Sequence, residues 1–450
     1  MEKRDLTKGD VFSTMCFFAL PMILGNILQQ GYNVVDTWVV GHYIGSNALA
    51  AVGASFALMT CLTSALLGLC MGSGIVFSLC FGRNEKLRLQ NSICAAFLLT
   101  VLTALFLTVS SLIGIDVIIS WLNIPDEILG ITKDYMSVVF LGIPAVAFYN
   151  FFGAYLKGLG NSVIPLVFLG ISTGLNIALD ILFIAVFQMG ATGAAAATVI
   201  AQYVSGIGIG FYTILKNRLI WEAFCHFCIK WDSLKEIINY SFLTCLQQSV
   251  MNFGILMVQG LVNRFGTTVM AAFAAAVKID SFTYMPAQEY ANAFSTFLAQ
   301  NVGAKKKERV LSGIRYGVLT SISYCLATSL LLWFLAEPLM LVFIDSRETA
   351  IVMEGVRYLR VIGSFYCGIG GLFLLYGLYR AIGKPAVSVV LTVISLGTRV
   401  GLSYTLVSFF GAGVGGIWWS VPIGWFFADL TGILYYIRLK RRGKLLSILQ

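Results

Sequence analysis

Long apolar stretches separated by short clusters of charge dominate the chain. No Asp, Glu, Lys or Arg occurs between Asp10 and Asp36, Arg88 and Asp116, Asp134 and Lys157, Lys157 and Asp180, Glu236 and Arg264, or Arg315 and Glu337. About 20 apolar residues suffice for a helix to cross the hydrocarbon core of a bilayer, so these gaps have the length of membrane crossings. A spanning β-barrel is excluded by pattern: its strands alternate polar and apolar residues over about ten positions, whereas the stretch FLLTVLTALFLTVSSLIGI is apolar throughout. Adding spans interrupted by one or two charges predicts twelve transmembrane helices, at about 12–40, 48–81, 91–119, 134–156, 164–187, 194–215, 239–262, 269–302, 311–335, 353–378, 386–410 and 416–437.

The second half of the chain repeats the first. GLGNSVIP from Gly158 matches AIGKPAVS from Ala381, and the same offset of 223 superposes Lys157 on Arg380, and Gly190 and Gly193 on Gly413 and Gly416. At an offset of 221, ALAAV from Ala48 matches VMAAF from Val269, and Gly82 falls on Gly303; Gln29-Gln30 corresponds to Gln247-Gln248. Six spans per copy is an even number, so the copies run parallel about an axis along the membrane normal, as in one class of secondary transporter. The predicted fold is an all-α integral membrane protein of twelve transmembrane helices in two pseudo-symmetric six-helix bundles. Its expected parts are an N-lobe over 1–215, a cytoplasmic linker over 216–238 and a C-lobe over 239–450, with a central cleft where one lobe rocks against the other.

Composition sharpens this picture. Of 450 residues, 58% are hydrophobic and 11% charged, against roughly 25% charged in soluble domains; a soluble enzyme or a nucleic-acid-binding protein is excluded. The formal net charge of +9 comes from 30 Lys and Arg. With the N-terminus inside, the inner segments hold 22 of them: Lys3, Arg4, Lys8, Arg83, Lys86, Arg88, Lys157, Lys216, Arg218, Lys230, Lys235, Lys305, Lys306, Lys307, Arg309, Arg380, Lys384, Arg438, Lys440, Arg441, Arg442 and Lys444. The outer segments keep five, Lys133, Arg264, Arg347, Arg357 and Arg360. The positive-inside rule therefore places both termini in the cytoplasm of a multi-pass inner-membrane protein. The leading MEKRDLTKGD runs into a span too long for a signal-peptide core, without a small-residue cleavage site. Among ten cysteines, Cys225-His226-Phe227-Cys228 lacks the second ligand pair that a zinc site requires, and no cofactor is expected.

Ionisable side chains inside a membrane are costly and usually functional. The N-lobe spans hold Asp36 and Asp180 and no base; the C-lobe spans hold Asp280, Glu289 and Asp429 with Lys278 and Arg399. Counted at about 1.5 Å per residue from the nearest turns, Asp36, Asp180 and Thr198 lie at similar depth, roughly 10–15 Å below the outer face. Tyr32 and Asn176 sit four residues from Asp36 and Asp180, on the same helix faces as the carboxylates. Five oxygen-bearing side chains on three helices, with two acids and no base, form a polar pocket for a hard cation, H+ or Na+. In the C-lobe, Arg399 and Asp429 are expected to meet at one depth, with Lys278 and Asp280 joining them in an ion network. Glu289, three residues after Pro286, either lines the cleft as a counter-charge for cationic solute or belongs to that network. Pro21 interrupts the helix that carries Asp36 and is expected to kink it. The 33 Phe, 19 Tyr, 13 Met and 8 Trp supply aromatic and flexible side chains for an apolar substrate cleft.

At these residues the chain resembles a known family. VVDTWVVGHYIGSNALAAVG, the GLGNS segment, NIALDILFI and GATGAAAATVIAQ are similar to the multidrug and toxic compound extrusion (MATE) family over essentially the whole length. The Asn176 and Asp180 pattern resembles its DinF branch. The resemblance implies a cation site at Tyr32, Asp36, Asn176, Asp180 and Thr198, and a bend at Pro21 as the carboxylates change state. It also implies possible coupling acids in the C-lobe, where Glu289 and Asp429 are placed. Gly254 stands at the repeat equivalent of Asp36, so the two lobes do not share one site. The expected activity is H+- or Na+-coupled antiport exporting amphipathic, cationic organic compounds or drugs from a lipid-embedded protein. The alternative is a lipid or lipid-linked oligosaccharide flippase, which needs several cleft cations for pyrophosphate, where this chain offers Lys278 and Arg399. An intramembrane enzyme is disfavoured, because the only histidines are His42 and His226 and no metal-protease or triad pattern occurs.

Overall fold

The computed structural model describes residues 5–121, 124 and 126–443; Lys3, Arg4 and Lys444 lie outside the described residues. Among these, sixteen α-helices and no strand are found. In chain order they are α1 (Val11–Tyr43), α2 (Ser46–Gly82), α3 (Lys86–Ile113), α4 (Ile115–Trp121), α5 (Asp126–Phe140), α6 (Ile143–Gly158), α7 (Val163–Asp180), α8 (Gly190–Lys216), α9 (Arg218–Cys225), α10 (Trp231–Val262), α11 (Thr267–Gly303), α12 (Lys307–Leu341), α13 (Thr349–Gly363), α14 (Tyr366–Ala381), α15 (Pro385–Ser408) and α16 (Gly413–Arg441). Ten segments are long and apolar enough to cross a membrane, and an eleventh is the pair α13 and α14, bent by 52°. The remaining expected span is α11, continuous over 37 residues, whose apolar run is broken by Lys278, Asp280 and Glu289.

The repeat is written in the turns. Gly160 and Gly383 adopt φ of 88° and 79°, and Gly190 and Gly413 adopt 63° and 61°, each pair 223 residues apart. Gly45 and Gly266, at 108° and 89°, and Asn84 and Lys305, at 62° and 57°, are 221 apart. After α6 and after α14 the helix end is closed by the same six-residue hydrogen bond, Asn161 N–H to Leu156 O at 2.9 Å and Lys384 N–H to Tyr379 O at 2.8 Å. This closure needs a left-handed residue, which glycine adopts without a Cβ clash. The helices pair in length too: α2 and α11 have 37 residues each, α5 and α13 have 15, and α6 and α14 have 16.

Two compact units result, one of Leu24–Cys245 and the other of Leu6–Ile23 together with the chain from Leu246 onward. The division therefore falls inside α1, two residues after Pro21, and inside α10, rather than in the linker at 216–238. Small residues explain the α10 boundary. A Cβ on Gly68 would lie 2.5 Å from the Cys245 Cα and one on Gly72 2.7 Å from the Ser241 Cα, so the start of α10 presses against α2 backbone to backbone. Ser241 also shares a 3.2 Å hydroxyl contact with Ser73 and donates to Leu69 O. The linker itself is ordered: Asn217 caps α9 by accepting from Leu219 N–H, and Phe224 packs on Phe97 of α3 at 5.0 Å.

In the second unit the chain entering α1 is strapped down. Arg309 donates to the carbonyls of Leu6, Lys8 and Gly9, Lys306 donates to Thr7 O at 2.7 Å, and Asn301 donates to Leu6 O at 3.2 Å. Helix α1 continues through Pro21 as one helix.

Candidate functional site

In the first unit the five residues expected to form a cation pocket converge. Helix α7 ends at Asp180, which is fully buried, with Asn176 one turn earlier at 2% exposure. The Asn176 amide donates to Thr198 Oγ1 of α8 at 3.2 Å, and Thr198 Oγ1 meets the Tyr32 hydroxyl of α1 at 3.3 Å. Asp36, one turn beyond Tyr32, interacts directly with Asp180 through its side chain. Hydrogen bonding is left incomplete on one side. Asp36 Oδ1, both carboxylate oxygens of Asp180 and Asn176 Oδ1 are buried without a hydrogen-bond partner among the described residues. A buried acceptor with no donor costs about 1–3 kcal/mol, and more for a charged group. Four acceptors in one place are a demand for a positive charge, which a proton or a small hard cation meets.

Two features of this pocket were not legible in the sequence. Directly after Asp180 the helix widens into a π-turn over Ile181–Val186, a register change that is common at functional sites. Tyr135 of α5, 7% exposed, packs with Val39, Val40 and Ile184 and lies within electrostatic reach of Asp36, Tyr32 and Asp180. Its signal was hidden because α5 carries Lys133 and Asp134 and reads as the start of a span rather than as a wall.

The second unit arranges its ionisable groups differently. Asp280 is 9% exposed and accepts from the hydroxyls of Tyr366 and, at 3.4 Å, Tyr358. Thr283 meets the Tyr366 hydroxyl at 3.0 Å. Arg399 lies within electrostatic reach of Asp280, Tyr358 and Tyr284. The expected pairing of Arg399 with Asp429 is not found: no hydrogen bond or ion pair joins them among the described residues, and the buried Nε of Arg399 has no hydrogen-bond partner there. Asp429 instead faces the glycine surface of α14, its Oδ2 lying 3.7 and 3.5 Å from the positions that Cβ atoms on Gly368 and Gly371 would occupy, and its Oδ1 has no hydrogen-bond partner among the described residues. Lys278 is exposed and is not drawn into the Asp280 network. Glu289 is likewise not isolated. Arg380 lies within its electrostatic reach and donates to Asn292 Oδ1 at 3.1 Å. The loop pattern of the sequence makes Arg380 an inner-loop charge; at 6% exposure it is instead a buried partner.

An all-helical membrane protein with repeated halves and a buried acid pair defines a transporter rather than an enzyme. The chain belongs to the MatE family, whose profile matches it twice, over residues 21–182 and 241–405, one match in each copy of the repeat. A Bacillus subtilis protein named probable multidrug resistance protein YpnP is 29% identical over 97% of both chains. The Thermotoga maritima protein named probable multidrug resistance protein NorM is 26% identical, covering 93% of this chain and 90% of its own. Among solved structures, the outward-facing conformation of a multidrug resistance MATE family transporter superposes with a TM-score of 0.92 over 98% of both chains at 22% identity. At that identity the likeness establishes the fold.

Proposed function

We infer that this protein is a cation-coupled antiporter in which H+ or Na+, taken up at Asp36 and Asp180, drives export of amphipathic, cationic organic compounds through alternating access. The observation that carries this reading is the group of four unsatisfied buried oxygens on Asp36, Asn176 and Asp180, with no basic side chain among them. Tyr32 and Thr198 tie the helices that bear the acids, so α1, α7 and α8 shift together when the charge between the carboxylates changes. Both termini lie in the cytoplasm, by the charge asymmetry of the loops. An inward coupling charge then gains about 2.3 kcal/mol per 100 mV of membrane potential.

Pro21 supplies flexibility on the same helix, next to the point where α1 passes from one compact unit to the other. In the second unit, Asp280 and Glu289 have basic or phenolic neighbours and act as structural members. Asp429 keeps an unpartnered oxygen and provides the counter-charge for the organic cation. The names of the relatives support drugs as cargo. In proteoliposomes carrying a fluorescent organic cation, wild-type export follows an imposed proton or sodium gradient, and collapsing each gradient separately identifies the ion. Export by Asp36→Asn that still tracks the gradient would overturn the site.

A further inference from the structure

The second unit carries a groove of about 590 Å³ formed by α12, α13 and α16, with Trp333, Glu337, Arg357, Arg360, Phe365 and Trp419 in its wall. Its level in the membrane follows from helix lengths. Trp333 lies 26 residues from Lys307 along α12, about 39 Å, and Trp419 lies 19 residues from Arg438 along α16, about 28 Å. The groove is thus one hydrocarbon thickness away from the basic loops, at the opposite interface. Three aromatic rings, on Trp333, Trp419 and Phe365, are 50%, 48% and 41% exposed around it, in the manner of an interfacial aromatic belt.

The charges in the groove are unusual for that side, where basic residues are scarce. Arg357 and Arg360, three residues apart on α13, share a face. Gly415 gives Arg357 its room, since a Cβ there would lie 2.8 Å from its Nη2. The Arg360 guanidinium lies over the Trp333 ring at 5.8 Å, leaving its N–H edge open. Glu337, one turn beyond Trp333 on α12, is exposed and forms no ion pair among the described residues. Glu354 is held by Trp418 Nε1 at 2.7 Å and stands 3.8 Å from Arg357. The groove wall thus carries two guanidiniums on α13 and one carboxylate, Glu337, on α12, while Glu354 lies on α13 outside that wall.

We propose that this groove binds a zwitterionic phospholipid bearing a free ammonium, with its phosphate on Arg357 and Arg360, its ammonium on Glu337 and its glycerol and chains against the three rings. Guanidinium forks suit phosphate oxygens, and the Glu337 carboxylate beside them favours a headgroup that adds an ammonium to its phosphate. The bilayer-facing aromatic rim selects a lipid over a soluble phosphate.

The test is native mass spectrometry of the full-length protein equilibrated in detergent with equimolar phosphatidylethanolamine, phosphatidylglycerol and phosphatidylcholine. Wild type is expected to retain phosphatidylethanolamine about tenfold over the other two, a difference of about 1.4 kcal/mol. Arg357→Ala with Arg360→Ala removes that retention, and Glu337→Gln equalises phosphatidylethanolamine and phosphatidylcholine, both with unchanged thermal unfolding because the three side chains are exposed. Unaltered retention in the double variant, equal retention of phosphatidylglycerol by the wild type, or displacement of the lipid by inorganic phosphate would overturn the proposal.

Discussion

The two compact units share a scaffold down to the dihedral angles of their turns, yet they arrange buried charge differently. In the unit of Leu24–Cys245, Asp36 and Asp180 are brought against each other, and Asp36 Oδ1 and both Asp180 oxygens have no hydrogen-bond donor among the described residues. In the other, Asp280 accepts from Tyr358 and Tyr366 with Arg399 in electrostatic reach, and Glu289 has Arg380 in reach. Duplication fixed where helices start, stop and approach, through small residues and left-handed turns. Among the described residues both units keep a buried carboxylate oxygen without a hydrogen-bond partner, but the first brings two such acids against each other. Gly254, at the position equivalent to Asp36, shows how little sequence change separates the two outcomes.

The contrast can be broken most severely at the acid pair. Asp36→Asn or Asp180→Asn is expected to eliminate gradient-driven export while leaving the thermal unfolding temperature equal or higher, since a partnerless buried carboxylate is removed; flux assays and a melting curve on the same preparation check both. The mirror substitution in the second unit has the reverse signature. Asp280→Asn weakens the hydrogen bonds that Tyr358 and Tyr366 donate to the carboxylate and is expected to cost about 1–3 kcal/mol of stability, while export per folded molecule persists. A loss of export larger than the loss of folded protein would assign Asp280 to coupling. Asp429→Asn is expected to raise the apparent KM for organic cations about tenfold, consistent with the loss of one partly buried charge interaction, with neutral substrates unaffected. Tyr32→Phe removes only the 3.3 Å contact to Thr198, worth about 0.5–1.5 kcal/mol. Apparent cation affinity should fall roughly three- to tenfold, with maximal export retained.

Much of this was readable in the chain. Spacing between charges located the helices, and offsets of 221 and 223 located the repeat that the paired left-handed turns display. Helical periodicity put Tyr32 beside Asp36 and Asn176 beside Asp180, and depth counting brought Thr198 to them. What escaped was whatever depends on side-chain direction or on tertiary contact. Arg380 stands at a helix end and reads as a loop charge, but its long side chain folds inward to Asn292. Counting puts Arg399 and Asp429 at one depth, and depth says nothing of azimuth; no hydrogen bond or ion pair joins them among the described residues. The π-turn after Asp180 has no local signature in ILFIAV. The unit boundary within α10 follows from Gly68 and Gly72 meeting Ser241 and Cys245, partners about 170 residues apart in sequence.

The central claim, that the coupling ion is held by the carboxylates of the first unit, is tested most directly by ion binding to purified protein. Sodium binding is followed by radioactive Na+, and proton binding by release or uptake on a pH jump, in the wild type and four single variants. The account predicts that Asp36→Asn and Asp180→Asn each abolish the binding step, whereas Asp280→Asn and Asp429→Asn leave it intact. Full binding in the first two variants, or its loss in the second two, would contradict it.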